Sequence, residues 1–233
     1  MRAWRNKRLR RRLALVLFLG CLFNATAPIA EAAAPTYRTD KTNSMQIALT
    51  FDDGPHPSQT KRILDILDRF NVKATFFMIG INVTRYPQAA QEVAQRGHEI
   101  GNHTFTHTRL QNMEPLTLEN ELKQCEDVIW KICRYRPRLF RPPEGFLNDG
   151  VLNCSESGDY SLILWSIDTR DWEVRDANHI AETVLERIRP GDIILLHDYV
   201  AKSKTPEALE LFLPKLLALG YQPVTVSQLI GVK

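Results

Sequence analysis

The chain has 233 residues, 44% of them hydrophobic, and its charged residues are mixed in sign. This length and composition suit one sizeable folded core and exclude a largely disordered chain. The formal net charge of +3 comes from residues 1–34, whose removal takes away seven basic residues and one acid and leaves −3. The rest of the chain therefore lacks the basic balance of a nucleic-acid-binding protein.

Residues 1–34 have the layout of a secretory signal peptide. Seven basic residues precede an apolar run at 13–23, and residues 30–32 and 32–34 have the small-x-small form of a cleavage site. We predict export and cleavage, which would make the protein secreted or bound to the cell envelope. An uncleaved membrane anchor is the alternative, but the apolar run is short for a span. A lipoprotein-type site at Cys21 is matched only weakly.

After a short polar lead-in at 35–44, residues 45–233 alternate strand-like and helix-like segments and form one predicted domain. Strands are predicted at 45–51, 74–79, 98–100, 139–140, 161–167, 192–196 and 221–226. Helices are predicted at 60–70, 87–96, 118–132, 148–157, 177–188 and 205–219. The alternation predicts an α/β fold with about seven parallel strands, a (β/α) barrel or a close relative.

The sequence also makes predictions about the last long helix and about the cysteines. In the last long helix, Thr205 is predicted as the cap, and Pro214 is expected to kink or interrupt the helix. Cleavage would leave an odd number of cysteines, Cys125, Cys133 and Cys154, without the spacing of a zinc finger. We interpret these cysteines as packing residues.

Chemically active residues follow the ends of most predicted strands. In chain order they are Asp52 and Asp53, His103 and His107, Arg141, Asp168 and Asp171, and His197 and Asp198. In a parallel barrel all carboxyl ends of the strands lie on one face. These residues are therefore expected to converge on one cleft.

The first two groups indicate a metal site. Adjacent carboxylates on an extended backbone point in different directions, so Asp53 can bind a cation while Asp52 faces elsewhere. His103 and His107 are four residues apart and would share one face of a helical turn. Two histidines and one carboxylate suit catalytic zinc and equally non-haem iron. Two ordinary surface histidines are the alternative.

Five stretches, in order from about residue 45 onward, resemble the motifs of the polysaccharide deacetylases of carbohydrate esterase family 4, the NodB-homology group. They are Thr50-Phe51-Asp52-Asp53-Gly54, His103-Thr104-Phe105-Thr106-His107, Arg141-Pro142-Pro143-Glu144-Gly145, Asp168-Thr169-Arg170-Asp171-Trp172 and Leu195-Leu196-His197-Asp198. The resemblance implies a single distorted (β/α) barrel. It also implies a metal-dependent hydrolase that removes acetyl groups from N-acetylglucosamine-containing polysaccharide, either peptidoglycan or chitin oligosaccharide.

The resemblance also assigns roles. It places one divalent ion on Asp53, His103 and His107, with zinc expected and cobalt or manganese as alternatives. It makes Asp52 the general base and His197 the general acid, with Arg141 fixing Asp52 and Asp168 orienting His197 or offsetting its charge. The implied substrate-binding residues are Pro143, Glu144, Trp172 and Leu195. Plain structural ion pairs are the alternative for Arg141 and Asp168, as core packing is for Trp172 and Leu195.

Glu144 departs from the family pattern, which usually has an aromatic residue there. A backbone N–H can still serve the oxyanion, so we expect Glu144 to change substrate preference rather than the reaction. The expected partner is an acetylated polysaccharide, with neither nucleic acid nor a protein partner implied.

Other functions remain open. They are an O-acetyl xylan esterase of the same family and a non-catalytic carbohydrate-binding relative. A glycosidase is disfavoured because adjacent Asp52 and Asp53 cannot easily straddle a glycosidic bond. An iron oxygenase would need a cosubstrate site that the sequence does not show.

Overall fold

A computed structural model of the protein describes residues 36–39, 44–199 and 203–232. The predicted signal and most of the lead-in lie outside these residues, so export, cleavage and the domain boundary stay predictions. Within the described ranges, no helix combines the length and the hydrophobicity needed to cross a membrane.

The described residues form one sheet of nine strands, and every strand pairing is parallel. The strands are β1 Thr36–Tyr37, β2 Gln46–Asp52, β3 Thr75–Met78, β4 Glu99–Asn102, β5 Leu139–Phe140, β6 Ser161–Ile163, β7 Ile167–Asp168, β8 Ile193–His197 and β9 Gln222–Val224. Their order is β1-β6-β5-β4-β3-β2-β8-β7, and β9 pairs with the start of β2. The central position of β2 places its carboxyl end, with Asp52, in the middle of the sheet.

Residues 161–168 form strands in two separate parts of the sheet. β6 pairs with β5, while β7, which begins four residues after β6 ends, pairs with β8. This change of partner explains why the strand predicted at 161–167 is observed as two strands. β1 pairs with β6, and Thr39 forms a bridge to Asp192 directly before β8. The distorted (β/α) barrel predicted from the sequence is therefore confirmed.

Eight α-helices accompany the strands in the described part of the chain. They are α1 Gln59–Arg69, α2 Gly80–Arg85, α3 Pro87–Gln95, α4 Pro115–Cys133, α5 Asp149–Ser157, α6 Ala177–Arg187, α7 Thr205–Ala218 and α8 Val226–Ile230. The six predicted helices agree with the structure to within three residues at each end. The helices α2 and α8 were not predicted, because both are too short to show an amphipathic period. A capping box formed by Thr225 and Gln228 begins α8.

The predicted cap of α7 is wrong, and so is the interruption that was one of the two expected effects of Pro214. The N-cap is Lys204 rather than Thr205, which is the first helical residue and donates its hydroxyl hydrogen to Asp171. Pro214 does not interrupt the helix, which continues to Ala218. The apolar face of α7, including Leu213 and Leu216, is fully buried, and this packing holds the helix against the core.

The core lies between the sheet and the surrounding helices. Phe51 of β2 stacks on Phe76 of β3 with ring centroids 4.9 Å apart. Cys125 and Cys154 are buried in apolar clusters, and none of the three described cysteines forms a disulfide. Burial raises the pKa of the Cys125 thiol to about 12, which leaves it unreactive. The interpretation of these cysteines as packing residues is confirmed for Cys125 and Cys154.

Candidate active site

A pocket of about 380 Å³ opens at the carboxyl ends of the strands. Its lining consists of Asp52, Asp53, His103, His107, Glu144, Trp165, Asp168, Trp172, Leu195 and His197. Nine of these ten residues were candidate site residues from the sequence; Trp165 was not. The expected convergence on one cleft is confirmed, because the parallel strands place these residues on the same face of the barrel.

The turn after β2 separates the two adjacent carboxylates. Asp52 is the last residue of β2 and is buried, whereas Asp53 has a left-handed backbone with a φ of 73°. The side-chain amide of Asn82 donates to the Asp53 carbonyl at 2.8 Å and fixes this turn. The left-handed turn at Asp53 gives the two side chains different surroundings and partners.

Asp53, His103 and His107 form a compact set of residues that could hold a metal ion. The Nε2 atoms of His103 and His107 lie 3.4 and 3.3 Å from Asp53 Oδ1. One ligand atom from each residue falls within 4.8 Å of the others. The Nδ1–H of His103 donates to the Arg141 carbonyl at 2.7 Å, so the lone pair of its Nε2 faces Asp53. This is the orientation that a metal-binding histidine requires.

The two histidines do not share a helical turn, so that part of the prediction is wrong. Residues 103–107 form an irregular loop in which Thr104 and His107 have φ values of 65° and 59°. Asn102 Oδ1 accepts from the Thr104 N–H at 2.9 Å, and Thr104 Oγ1 accepts from the His107 N–H at 3.1 Å. These side-chain bonds take the place of the helical ladder and still bring both imidazoles to one point.

The electrostatics of the set fit a divalent cation. Burial raises the pKa of Asp53, but the hydrogen bond and charge of His103, with the charges of His197 and His107, outweigh burial and lower it to about 2. Burial and the neighbouring His103 lower the pKa of His107, which keeps its imidazole neutral and able to bind a metal. One ionised carboxylate and two imidazoles with further positions open to solvent suit a catalytic metal.

Arg141 lies fully buried beneath the pocket and holds Asp52. Its Nη1 donates to Asp52 Oδ1 at 2.7 Å and to Thr50 Oγ1 at 2.8 Å. Its Nε and Nη2 donate to the carbonyls of Ile163 and Leu164 at 3.2 and 3.0 Å. Burial lowers the pKa of Arg141, and the adjacent Asp52 carboxylate partly offsets this. The expected contact between Arg141 and Asp52 is present, and Asp52 Oδ2 remains beside the metal ligands, 3.8 Å from His103 Nε2.

The partner of His197 is Asp171, not Asp168. The His197 Nδ1–H donates to Asp171 Oδ1 at 2.7 Å, and the His197 backbone N–H donates to Asp171 Oδ2 at 2.8 Å. Asp168 Oδ1 accepts only the backbone N–H of Arg170 within the described residues and lies on the pocket wall. The expectation that Asp168 orients His197 is wrong. The left-handed φ of 52° at Arg170 turns the chain, so that Asp171, the second acid of the fourth motif, reaches His197.

Burial lowers the pKa of His197, but the hydrogen bond and charge of Asp171, together with Asp52 and Asp53, outweigh burial and raise it to about 9. At neutral pH the imidazole is therefore protonated. Because Nδ1–H is bonded to Asp171, the Nε2–H is the proton that His197 can donate. This is the state that a general acid needs before it acts.

The third motif forms one wall of the pocket. Pro143, Glu144 and Gly145 make a 3₁₀ turn in which Glu144 has a left-handed φ of 57°. The Glu144 side chain is exposed, and its Oε1 accepts from Arg109 Nε at 3.0 Å. Trp165 packs so closely on Gly145 that a Cβ there would lie 2.7 Å from the indole ring. Leu195 is buried at the pocket, and Trp172 is about half exposed.

The sequence reasoning missed three residues of this site. Trp165 falls inside a predicted strand and was taken as part of it. Arg109 lies outside the five motifs. Asp171 was noted at the strand end but was given no role. Asp198, the last residue of the fifth motif, is buried against Gly54, where a Cβ would lie 2.2 Å from its carboxylate oxygens. That contact explains why the first motif needs glycine after its two acids.

Comparisons with known proteins agree with this geometry. A family model described as polysaccharide deacetylase matches residues 39–163. The chain is 42% identical over 194 residues to a peptidoglycan-N-acetylglucosamine deacetylase of Bacillus cereus, covering 82% of this chain and 91% of that protein. It is 34% identical over 203 residues to a chitooligosaccharide deacetylase of Bradyrhizobium sp. (strain ANU 289), covering 82% and 93%. A crystal structure of a peptidoglycan N-acetylglucosamine deacetylase aligns with a TM-score of 0.82 at 32% identity, covering 86% and 94%.

Proposed function

The chain belongs to the polysaccharide deacetylase family, and we propose that its substrate is the N-acetylglucosamine of peptidoglycan. The protein is a metal-dependent polysaccharide N-deacetylase. Its relatives are named as peptidoglycan deacetylases, chitooligosaccharide deacetylases and an acetyl xylan esterase, so the family membership leaves the polymer to be decided. The higher identity to the peptidoglycan enzyme supports that choice, as does the predicted export signal, which would deliver the protein to the cell wall.

The observation that carries the assignment is the division of the pocket into three chemically distinct parts. Asp53, His103 and His107 form a candidate ligand set. Asp52 provides a carboxylate that Arg141 holds in place, and His197 provides a protonated imidazole. All three parts line the same pocket. Hydrolysis of an amide needs a Lewis acid, a base for the attacking water and an acid for the leaving amine, and this pocket supplies a residue set for each.

A divalent ion bound by Asp53, His103 and His107 would lower the pKa of water and polarise the acetyl carbonyl. We assign the ion as zinc, because two imidazoles and one carboxylate with open positions are a common zinc set, with cobalt and manganese as alternatives. The assignment rests on the donor set.

The protein groups around the ligand set perform the proton transfers. Asp52 takes a proton from the attacking water through Oδ2, because Oδ1 is held by Arg141. His197, kept protonated and oriented by Asp171, gives a proton to the leaving nitrogen of the sugar. The backbone N–H of Glu144, in the 3₁₀ turn of the pocket wall, stabilises the oxyanion. The products are acetate and a free amino sugar.

The pocket walls bind the acetyl group and the sugar. Leu195 and Trp172 offer apolar surface for the acetyl methyl group and one face of the ring. Pro143 stiffens the wall that carries Glu144. Trp165 packs against Gly145 and keeps this wall in place.

The proposal is tested by measuring acetate release on a matched panel. The panel contains soluble peptidoglycan fragments, N-acetylglucosamine oligomers of the same length and acetylated xylan. We expect the highest kcat/KM on the peptidoglycan fragments, with one new amine formed for each acetate. Asp65→Asn is the control variant, because Asp65 is an exposed carboxylate of α1 that is paired with Lys61 and Arg96 away from the pocket.

Each outcome of this panel has a definite reading. Acetate release without new amine, or release from xylan alone, would contradict the N-deacetylase proposal and favour an O-acetyl esterase. A higher kcat/KM on neutral chitin oligomers would keep the N-deacetylase activity and contradict the choice of peptidoglycan.

A further inference from the structure

We propose that Arg109 is a specificity-determining residue that favours acetylated glycans carrying a carboxylate next to the reacting sugar. The inference rests on the proposed function and names the chemical feature that Arg109 would recognise. Arg109 lies in the loop that follows the metal-ligating histidines, and it contacts Glu144 in the third motif. The contact places a cation beside the one site residue that departs from the family pattern.

The geometry leaves Arg109 able to bind a second anion. Only its Nε is engaged, donating to Glu144 Oε1 at 3.0 Å, and the side chains of Arg109 and Glu144 are 81% and 59% exposed. Neither Nη1 nor Nη2 has a hydrogen-bond partner among the described residues. Two parallel N–H groups of a guanidinium match the two oxygens of a carboxylate. Arg109 therefore presents an open anion-binding edge while Glu144 holds its other edge.

The charges around the pocket explain why such a cation is needed. Arg141 pairs with Asp52 and a bound cation would neutralise Asp53, but the carboxylates of Asp168 and Glu144 remain on the walls. Glu144 and His107 line the same pocket, so the Glu144 carboxylate faces the reacting end. Without Arg109, a carboxylate-bearing glycan would be repelled by Glu144 near the reacting end of the pocket.

Other contacts already hold the two loops that Arg109 and Glu144 connect. Glu121 accepts from the N–H groups of Phe105 and Thr106 at 3.0 and 2.7 Å, which fixes the histidine loop. The third motif is held by the Gly145 N–H to Pro142 carbonyl bond of 2.9 Å and by Trp165. An exposed ion pair adds little stability. The Arg109–Glu144 pair is therefore not required to keep either loop in place.

The experiment compares two substrates that differ only in charge. One is a soluble oligosaccharide of alternating N-acetylglucosamine and N-acetylmuramic acid with free lactyl carboxylates, and the other is the same oligosaccharide with those carboxylates converted to amides. The measured quantity is the ratio of kcat/KM on the anionic substrate to kcat/KM on the amidated one. This ratio removes any change that affects both substrates equally.

The two partners of the pair should move this ratio in opposite directions. Arg109→Gln is expected to lower the ratio about two- to five-fold, the scale of an exposed charge interaction. Glu144→Gln is expected to raise it, because the guanidinium then has no competing anion. Both effects should shrink as ionic strength increases. The control is Arg138→Gln, which also removes an exposed arginine that is paired with an acid, Asp159. Arg138 lies directly before β5, whereas Arg141 and the pocket lie at the other end of that strand. This variant should leave the ratio unchanged.

Opposite shifts for the two variants, with no shift in the control, support the inference. Shifts in the same direction, or rates that fall equally on both substrates, overturn it and make the pair a structural link. Acetate release from wild-type protein with an unchanged ratio in Arg109→Gln overturns the inference alone. No acetate release from either substrate by wild-type protein overturns the proposed function and, with it, this inference.

Discussion

Two buried histidines flank the same four-residue strand, β4, and their environments differ completely. His98 precedes β4 and His103 follows it. The Nδ1 of His98 accepts from the Ala74 N–H at 3.2 Å, so its Nε2 carries the proton, and that atom has no partner among the described residues. The Nδ1 of His103 instead donates to the Arg141 carbonyl, which leaves its Nε2 lone pair directed at Asp53.

The surroundings enforce this difference. Burial, helped by Lys73, lowers the pKa of His98 to about 4. Burial also acts on His103, but the carboxylates of Asp52 and Asp53 outweigh it and raise the pKa of that imidazole. The same carboxylates that favour a proton on His103 would favour a metal cation there. Burial of a histidine therefore does not identify the site; what distinguishes His103 is that its Nε2 faces carboxylates.

Two buried acids at opposite ends of the sheet, Glu99 in β4 and Asp52 in β2, show the same contrast. Glu99, at the amino end, has its Oε2 occupied by the Thr75 hydroxyl at 2.7 Å and the Ser227 N–H at 3.2 Å. Asp52, at the carboxyl end of β2, has one oxygen held by Arg141 and the other 3.8 Å from His103 Nε2. Glu99 ties α8 to the sheet, whereas Asp52 keeps an oxygen available for chemistry.

The largest expected effect comes from replacing Asp52, the proposed base at the carboxyl end of β2. Asp52→Asn should keep bound metal but lower kcat by about 10²–10⁴-fold, because the amide cannot take a proton from water. Glu99→Gln is the matched variant at the amino end and should keep kcat per folded molecule. The measurements are acetate release and metal content of each purified protein.

Loss of the metal from a folded Asp52→Asn protein would show that Asp52 is a ligand and that the division of roles between Asp52 and Asp53 is wrong. If Glu99→Gln lost as much kcat as Asp52→Asn, the claim that only the carboxyl end of the barrel serves catalysis would be wrong.

A smaller effect should distinguish the two acids of the fourth motif. His197 acts as an acid only when protonated, so activity should fall as the pH rises through its pKa of about 9. Asp171→Asn removes the charge that raises this pKa, so the alkaline limb should move to lower pH and kcat should fall. Asp168→Asn is the control and should leave the alkaline limb in place. A shift in Asp168→Asn, with none in Asp171→Asn, would restore the assignment made from the sequence.

Sequence reasoning found the barrel and the strand ends because both depend on local patterns. The alternation of apolar strands and amphipathic helices predicts the fold class, and parallel strands then bring Asp53, His103 and His197 to one face. The choice between Asp168 and Asp171 depends on the left-handed backbone at Arg170, which no pattern of residue types reveals. The same holds for the loop that carries His103 and His107, where side-chain hydrogen bonds replace a helix.

Other features could not be predicted because they depend on contacts between distant parts of the chain. The strand predicted at 161–167 divides because its first half pairs with β5 and its second half with β8. Trp165 lies at that division and reaches Gly145, so a residue that looked like strand packing helps form the pocket wall. Arg109 joins the site only through its contact with Glu144.

The smallest expected effect concerns stability at the amino end. The pKa of His98 is about 4 in the folded protein against an ordinary value of 6.5. The stability that depends on neutral His98 is therefore present above pH 6.5 and is lost as the pH falls toward 4. In His98→Gln this part of the pH dependence should disappear, a difference on the order of 1–3 kcal/mol.

The measurement for His98 is urea denaturation of wild type and variant at pH 7.5 and pH 5. Identical pH dependence in the two proteins would show that His98 titrates normally. His103→Gln is compared under the same conditions, because the raised pKa of His103 should not produce a loss of stability in this acid range.

The central claim is that Asp53, His103 and His107 hold one divalent ion on which deacetylation depends. The most direct measurement is acetate release by metal-free protein as zinc, cobalt or manganese is added in steps, with bound metal determined in each sample. We predict no activity without metal and a rate that rises in proportion to bound metal up to one ion per chain, with His103→Ala failing to reach that occupancy. Full activity in demonstrably metal-free protein would contradict the account.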